Sequence, residues 1–144
     1  MQFYSTNRKT SPVSLREAVV RGLAADRGLF MPEVIRRFPP AFYQNMKEMT
    51  LREISFVVAE AFFGEDVEAG KLKEIVDETL NFDIPLVQVA DNRYSLELFH
   101  GPTLAFKDVG ARFMARLLAY FNKQEGERQV NVLVATSGDT GRAG

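Results

Sequence analysis

The stretch LELFHGPTLAFKD, residues 96–108, sets one histidine, a Gly-Pro break and a single lysine among aliphatic and aromatic residues. Lys107 stands directly before an amphipathic run with helical spacing. Surrounded by Leu104, Ala105 and Phe106 and at the positive end of that helix, its ammonium is disfavoured by desolvation and by the helix dipole. A lysine held as a neutral amine is what Schiff-base chemistry with a carbonyl group requires. The competing reading is a lysine whose stem lies on apolar surface while its head reaches water. Further along, TSGDTG, residues 136–141, follows an apolar strand-like run. Glycines there allow a tight turn, and the helix that should follow presents free N–H groups and its positive end to that turn. With the hydroxyls of Ser137 and Thr140, this makes a receptor for a carboxylate or phosphate. It is neither a Walker loop nor G-x-G-x-x-G, and an ordinary strand-to-helix turn is the plain alternative.

Three neighbours have double readings. Asp108 reads first as the cap of the helix that begins beside it and second as a catalytic acid. His100 can serve catalysis or a structural hydrogen bond, and Thr103, after Pro102, can be a turn residue or a ligand contact.

Several elements must hold these residues. Val13–Ala25 has helical spacing, with Leu15, Ala18, Val19, Gly22 and Leu23 on one face and Ser14 with Glu17 as a capping box. Breaks follow at Gly28, Pro32 and Pro39-Pro40. Thr50 and Glu53 repeat the capping box and open a helix to about Phe63, with Gly64 at its stop. A third helix near Val67–Leu80 buries Leu72, Ile75, Val76, Thr79 and Leu80. Phe3, Tyr4, Phe30, Phe42, Phe56 and Phe62 read as core. After Pro85 the texture changes: LVQVA and RYSLELF, separated by Asp91-Asn92, read as a hairpin. Val109–Asn122 is helical, and VNVLVA, residues 130–135, has the continuous apolar character of a strand covered on both faces of a parallel sheet.

The fold expected is α/β, a helical subdomain over residues 1–83 and then, over 84–144, the opening of a doubly wound parallel sheet. A strand of that kind needs parallel neighbours, so the chain reads as a fragment of a longer protein.

Composition narrows the function. The 144 residues carry a net charge of -1, so there is no basic excess for a nucleic-acid backbone. There is no cysteine and only one histidine, which excludes disulfides and thiolate or multi-histidine metal sites. No apolar run reaches the roughly 20 residues of a membrane span, and no signal-peptide pattern opens the chain. A cytoplasmic protein with a small-molecule substrate is expected; oligomeric state is left open.

Taken together, LELFHGPTLAFKDVGARFM, VLVATSGDTG, and YSTN followed by VSLREAVVRGLAADRGLFMPE closely resemble the bacterial and fungal type of threonine synthase. That family comprises fold-type II pyridoxal-phosphate enzymes related to the tryptophan synthase β-subunit. The resemblance implies that Lys107 holds pyridoxal 5'-phosphate covalently and shuttles protons. It implies that Ser137, Gly138, Thr140 and Gly141 receive the substrate's carboxylate and that Asp139 lies near the cofactor. Thr103 and His100 would line the site. The implied reaction converts O-phospho-L-homoserine and water to L-threonine and phosphate, and these 144 residues alone would be inactive. Two positions depart from the pattern: Arg27 stands where an ADGGL-type turn has glycine, and Arg142 with Gly144 where small residues such as serine and alanine are usual. Other readings are a different fold-type II lyase or dehydratase, and a non-catalytic homologue acting as a binding module.

Overall fold

The structure is a computed structural model that describes residues 1–124, 126, 129 and 131–133. It is a mixed helix-and-strand chain with two compact units, Met1–Val76 and a second from Asp77 onward.

The first unit is not purely helical. Strand β1 (Gln2–Ser5) pairs antiparallel with β2 (Val13–Ser14) on one side and β3 (Phe30–Pro32) on the other. Along β1 the pleat turns Phe3 and Ser5 inward, and both are buried. Helix α1 runs over Leu15–Arg21, shorter than the spacing suggests at both ends. Val13 and Ser14 belong to β2, and Gly22 at φ 70 ends the helix, leaving Leu23 54% exposed. Ser14 Oγ does accept from Glu17 N–H, but the Glu17 carboxylate pairs with Arg21, so half of the expected capping box forms.

Pro39-Pro40 begins an element instead of breaking one. Pro40 occupies the first turn of α2 (Pro40–Asn45), where a missing N–H leaves no helical bond unmade. A 3-10 turn follows at Met46–Glu48, and then α3 (Leu51–Phe63). Here the capping box is complete: Thr50 Oγ1 accepts from Glu53 N–H while the Glu53 carboxylate accepts from Thr50 N–H at 2.7 Å. Replacing Thr50 with alanine is expected to cost about 1 kcal/mol in denaturant unfolding. Helix α4 (Ala69–Thr79) buries Leu72, Ile75, Val76 and Thr79, and Leu80 just beyond it is buried too, the set its spacing implies. Of the six aromatics read as core, Phe3 is buried and the others are half-buried.

The YSTN and ADRG stretches meet at one carboxylate. Asp26 accepts from Ser5 Oγ at 2.5 Å, from Lys9 N–H at 2.9 Å and from Gly28 N–H at 3.0 Å, while its own carbonyl accepts from the Asn7 side chain. Arg27, at φ 66, holds the left-handed conformation that glycine adopts without strain, which explains physically why a glycine suits this turn. The hydrogen bond from Ser5, reinforced by the backbone donors, holds the Asp26 carboxyl below its ordinary value. A depressed folded-state pKa contributes stability above the unfolded value near 4 and loses it as pH falls through the folded value. Asp26→Asn is therefore expected to melt earlier than the wild type at pH 7. The gap should close as both are acidified below about pH 4, which a series of thermal melts reads directly.

In the second unit, β4 (Leu86–Ala90) and β5 (Arg93–Leu96) form the expected antiparallel hairpin, turning at Asn92 with φ 56. Helix α5 (Lys107–Gln124) buries Leu117 and Phe121. Arg112 ties it to the preceding segment by donating to the Glu78 carbonyl and to Asn81 Oδ1, both at 2.8 Å, and Arg116 pairs with the Glu78 carboxylate. Of the run read as a buried strand, Asn131, Val132 and Leu133 join no ladder, and Leu133 is 95% exposed. Val130, Val134 and Ala135 lie outside the described residues, so the parallel sheet is not seen. Among the described residues no helix is long and apolar enough to cross a membrane.

Candidate active site

The segment between β5 and α5 folds as a tight turn whose centre is a buried carboxylate. Asp108, 1% exposed, does not cap its own helix; it lies inside the first turn, one residue past Lys107. Its Oδ2 accepts from the Thr103 backbone N–H at 2.9 Å and its Oδ1 from the Thr103 hydroxyl at 2.8 Å. A carboxylate out of water needs such donors, because leaving it unpaired costs several kcal/mol. Position 101 must be glycine for this closure: a Cβ there would come within 2.5 Å of Asp108 Oδ2 and 2.9 Å of Asp108 Cβ. Leu104 then turns back with its N–H on the Gly101 carbonyl and φ 55, a left-handed conformation that costs a branched side chain on the order of 1–3 kcal/mol.

Lys107 is the outcome of that turn. Its Nζ is buried and has no hydrogen-bond partner among the described residues. Its apolar neighbours do not enclose it as the sequence suggests: Leu104 is 76% and Phe106 73% exposed, so the amine is sequestered while they face solvent. A buried amine with no acceptor among the described residues leaves room for a further partner. A group bearing an electrophilic carbonyl would be such a partner, and in that sense the residues present fit a carbonyl cofactor.

The other expected site residues separate into three kinds. Thr103 is brought to the turn, with its hydroxyl proton engaged by Asp108. His100 is drawn to Glu97, Nε2 to Oε2 at 2.7 Å, and stacks on Phe99 with ring centroids 4.8 Å apart; neither contact involves Lys107. Ser137, Gly138, Asp139, Thr140 and Gly141 lie outside the described residues, as do Arg142 and Gly144. From sequence Asp108 reads first as a helix cap, and nothing in the spacing marks Glu97. The signal for Asp108 is the Gly101-Pro102-Thr103 turn five residues upstream of an acid at a helix start. Among the described residues no cluster of three or more histidine, aspartate or glutamate side chains could hold a metal ion.

Comparison with known proteins gives these features a family. The family model described as "Threonine synthase N terminus" matches residues 2–80. Threonine synthase from Serratia marcescens is 41% identical over 143 residues, covering 99% of this chain and 33% of that protein. The Haemophilus influenzae threonine synthase is 41% identical, with 99% and 32% covered. Among solved structures, threonine synthase from Escherichia coli matches with a TM-score of 0.90 and 38% identity, over 99% of this chain and 33% of that one. The pyridoxal-phosphate-bound threonine synthase from Brucella melitensis matches with a TM-score of 0.83 and 34% identity, over 89% and 29%. The chain thus spans about a third of the length of the curated relatives it matches. With residues 2–80 matched by the N-terminal model and nearly its whole length aligned with named members, the chain belongs to the threonine synthase family.

Proposed function

We propose that this chain supplies the lysine-bearing third of a threonine synthase that converts O-phospho-L-homoserine and water to L-threonine and phosphate, with pyridoxal 5'-phosphate as cofactor. The observation that carries the reading is the buried Lys107 amine at the head of α5, within the FHGPTLAFKD block and without a hydrogen-bond partner among the described residues. The names of the relatives, and the pyridoxal phosphate bound to the Brucella melitensis threonine synthase, support it.

Pyridoxal phosphate, when bound, supplies an electron sink for the charge left on substrate carbon as protons depart. Lys107 holds the cofactor through Nζ and carries protons to and from substrate carbon, work for which a desolvated amine is suited. The α5 N-terminus presents its positive end beside that amine. Thr103, oriented by Asp108, lines the approach to Lys107, while His100 acts with Glu97 at the edge of the turn. In the segment beyond the described residues, Ser137, Gly138, Thr140 and Gly141 take the substrate's carboxylate through hydroxyl and backbone N–H donors, and Asp139 meets the cofactor. Residues 84–144 open the catalytic part, and residues 1–83 form the N-terminal domain of the family. The compartment is the cytoplasm.

The test is to join this chain to the remaining two-thirds of the Escherichia coli relative, in place of the part it matches. Phosphate and threonine are then assayed from O-phospho-L-homoserine. The joined enzyme should release the two in equal amounts. A polypeptide of these 144 residues alone should release neither. Threonine without phosphate release, or no turnover from a folded joined enzyme, contradicts the reading.

A further inference from the structure

The buried carboxylate of Asp108 is not required by the fold as a helix cap, since it turns away from its own helix and back to Thr103. Its two acceptor oxygens take both polar hydrogens that Thr103 offers, backbone and hydroxyl, which fixes that residue in orientation as well as position. Gly101 is pressed against it so closely that no side chain fits between. The result is a closed ring from Gly101 to Asp108, with the strained Leu104 inside it and Lys107 as its last residue before the acid. A strained turn persists only when its surroundings over-determine it, and here two hydrogen bonds to one buried carboxylate do so.

We propose that Asp108 is a positioning residue that, by holding both polar hydrogens of Thr103 while packed against Gly101, delivers the Lys107 amine in the orientation its cofactor needs. The inference rests on the reading of Lys107 as the cofactor-bearing lysine. Misplacing a reacting group by about 1 Å costs on the order of 10²-fold in rate, so release of the clamp should be visible at Lys107 itself.

The experiment uses the full chain joined to the rest of the Escherichia coli relative, treated with pyridoxal phosphate and borohydride. The rate of pyridoxyl attachment is read at Lys107 and at exposed Lys47 and Lys123 by peptide mass mapping. In Asp108→Asn and Gly101→Ala the Lys107 rate should fall at least about ten-fold while the Lys47 and Lys123 rates hold, the size expected for a loosened reacting group. Thr103→Val should show the same loss, and Thr103→Ser, which keeps the hydroxyl, should stay near wild type. The threonine pair has nearly the size of the native residue, so it reads the same bond should Asp108→Asn fail to fold. Rates at Lys107 unchanged in folded Asp108→Asn, or equal in Thr103→Val and Thr103→Ser, overturn the clamp and leave the lysine assignment standing. No selective adduct at Lys107 in the unsubstituted joined enzyme overturns that assignment and the clamp with it.

Discussion

Lys107→Ala in the joined enzyme should lower threonine formation by at least about 10²–10⁴-fold, the usual worth of positioned acid–base catalysis before any loss of cofactor attachment is added. The same change should leave the chain's stability intact. Lys107 Nζ makes no hydrogen bond among the described residues, so removing it breaks none there. An unpaired polar group out of water destabilises by about 1–3 kcal/mol. Lys107→Met, which keeps the apolar stem, is therefore expected to melt at or above the wild-type temperature. Activity lost while stability is held or gained is the mark of a residue kept for chemistry at some cost to the fold. A Lys107→Met chain that melts well below wild type would show the amine to be structural.

Gly28→Ala should be the most disruptive single methyl in the first unit, costing about 2–4 kcal/mol by combined overpacking and lost hydrogen bonding. An added Cβ would stand 2.0 Å from Ser5 Oγ and 2.9 Å from the Asn7 backbone nitrogen. Neither can move freely, because Ser5 is fully buried in β1 and its hydroxyl holds Asp26. Displacing Ser5 releases the carboxylate that organises Lys9, Gly28 and the Asn7 side chain, so β1 and the turn before β3 should loosen together. Denaturant unfolding of the chain measures the loss. A change below about 0.5 kcal/mol, the range of an ordinary surface substitution, would mean the turn absorbs the methyl elsewhere.

Elements are legible where local pattern and tertiary burial agree. Thr50 and Glu53 mark the start of α3, and the spacing of Leu72, Ile75, Val76, Thr79 and Leu80 marks the buried face of α4, because the same residues satisfy the helix and the core. The hairpin at Asp91-Asn92 is legible from its turn residues. The three-stranded sheet is not. Its strands are two to four residues long, too short for alternation to show, and QFYS hides a buried serine that matters through Asp26. Val13 and Ser14 fit the helical period they border, and Pro40 reads as a break although its first-turn position suits proline.

At the site, residue types point to Lys107 and the family resemblance gives it a role. The geometry that presents it is hidden, since Asp108 turning back on Thr103 depends on a close approach at Gly101 that no spacing rule encodes. His100 stands out by type, while its contacts with Glu97 and Phe99 come from the fold of the turn. A sequence shows which side chains a segment owns but not which of them its own turn will engage.

Whether Lys107 carries the cofactor is decided by borohydride reduction of the joined enzyme with pyridoxal phosphate, followed by peptide mass mapping. One dominant pyridoxyl adduct is expected, on Lys107, suppressed by Lys107→Ala. Adducts spread over exposed lysines such as Lys47 and Lys123, with none selectively on Lys107, would contradict that role.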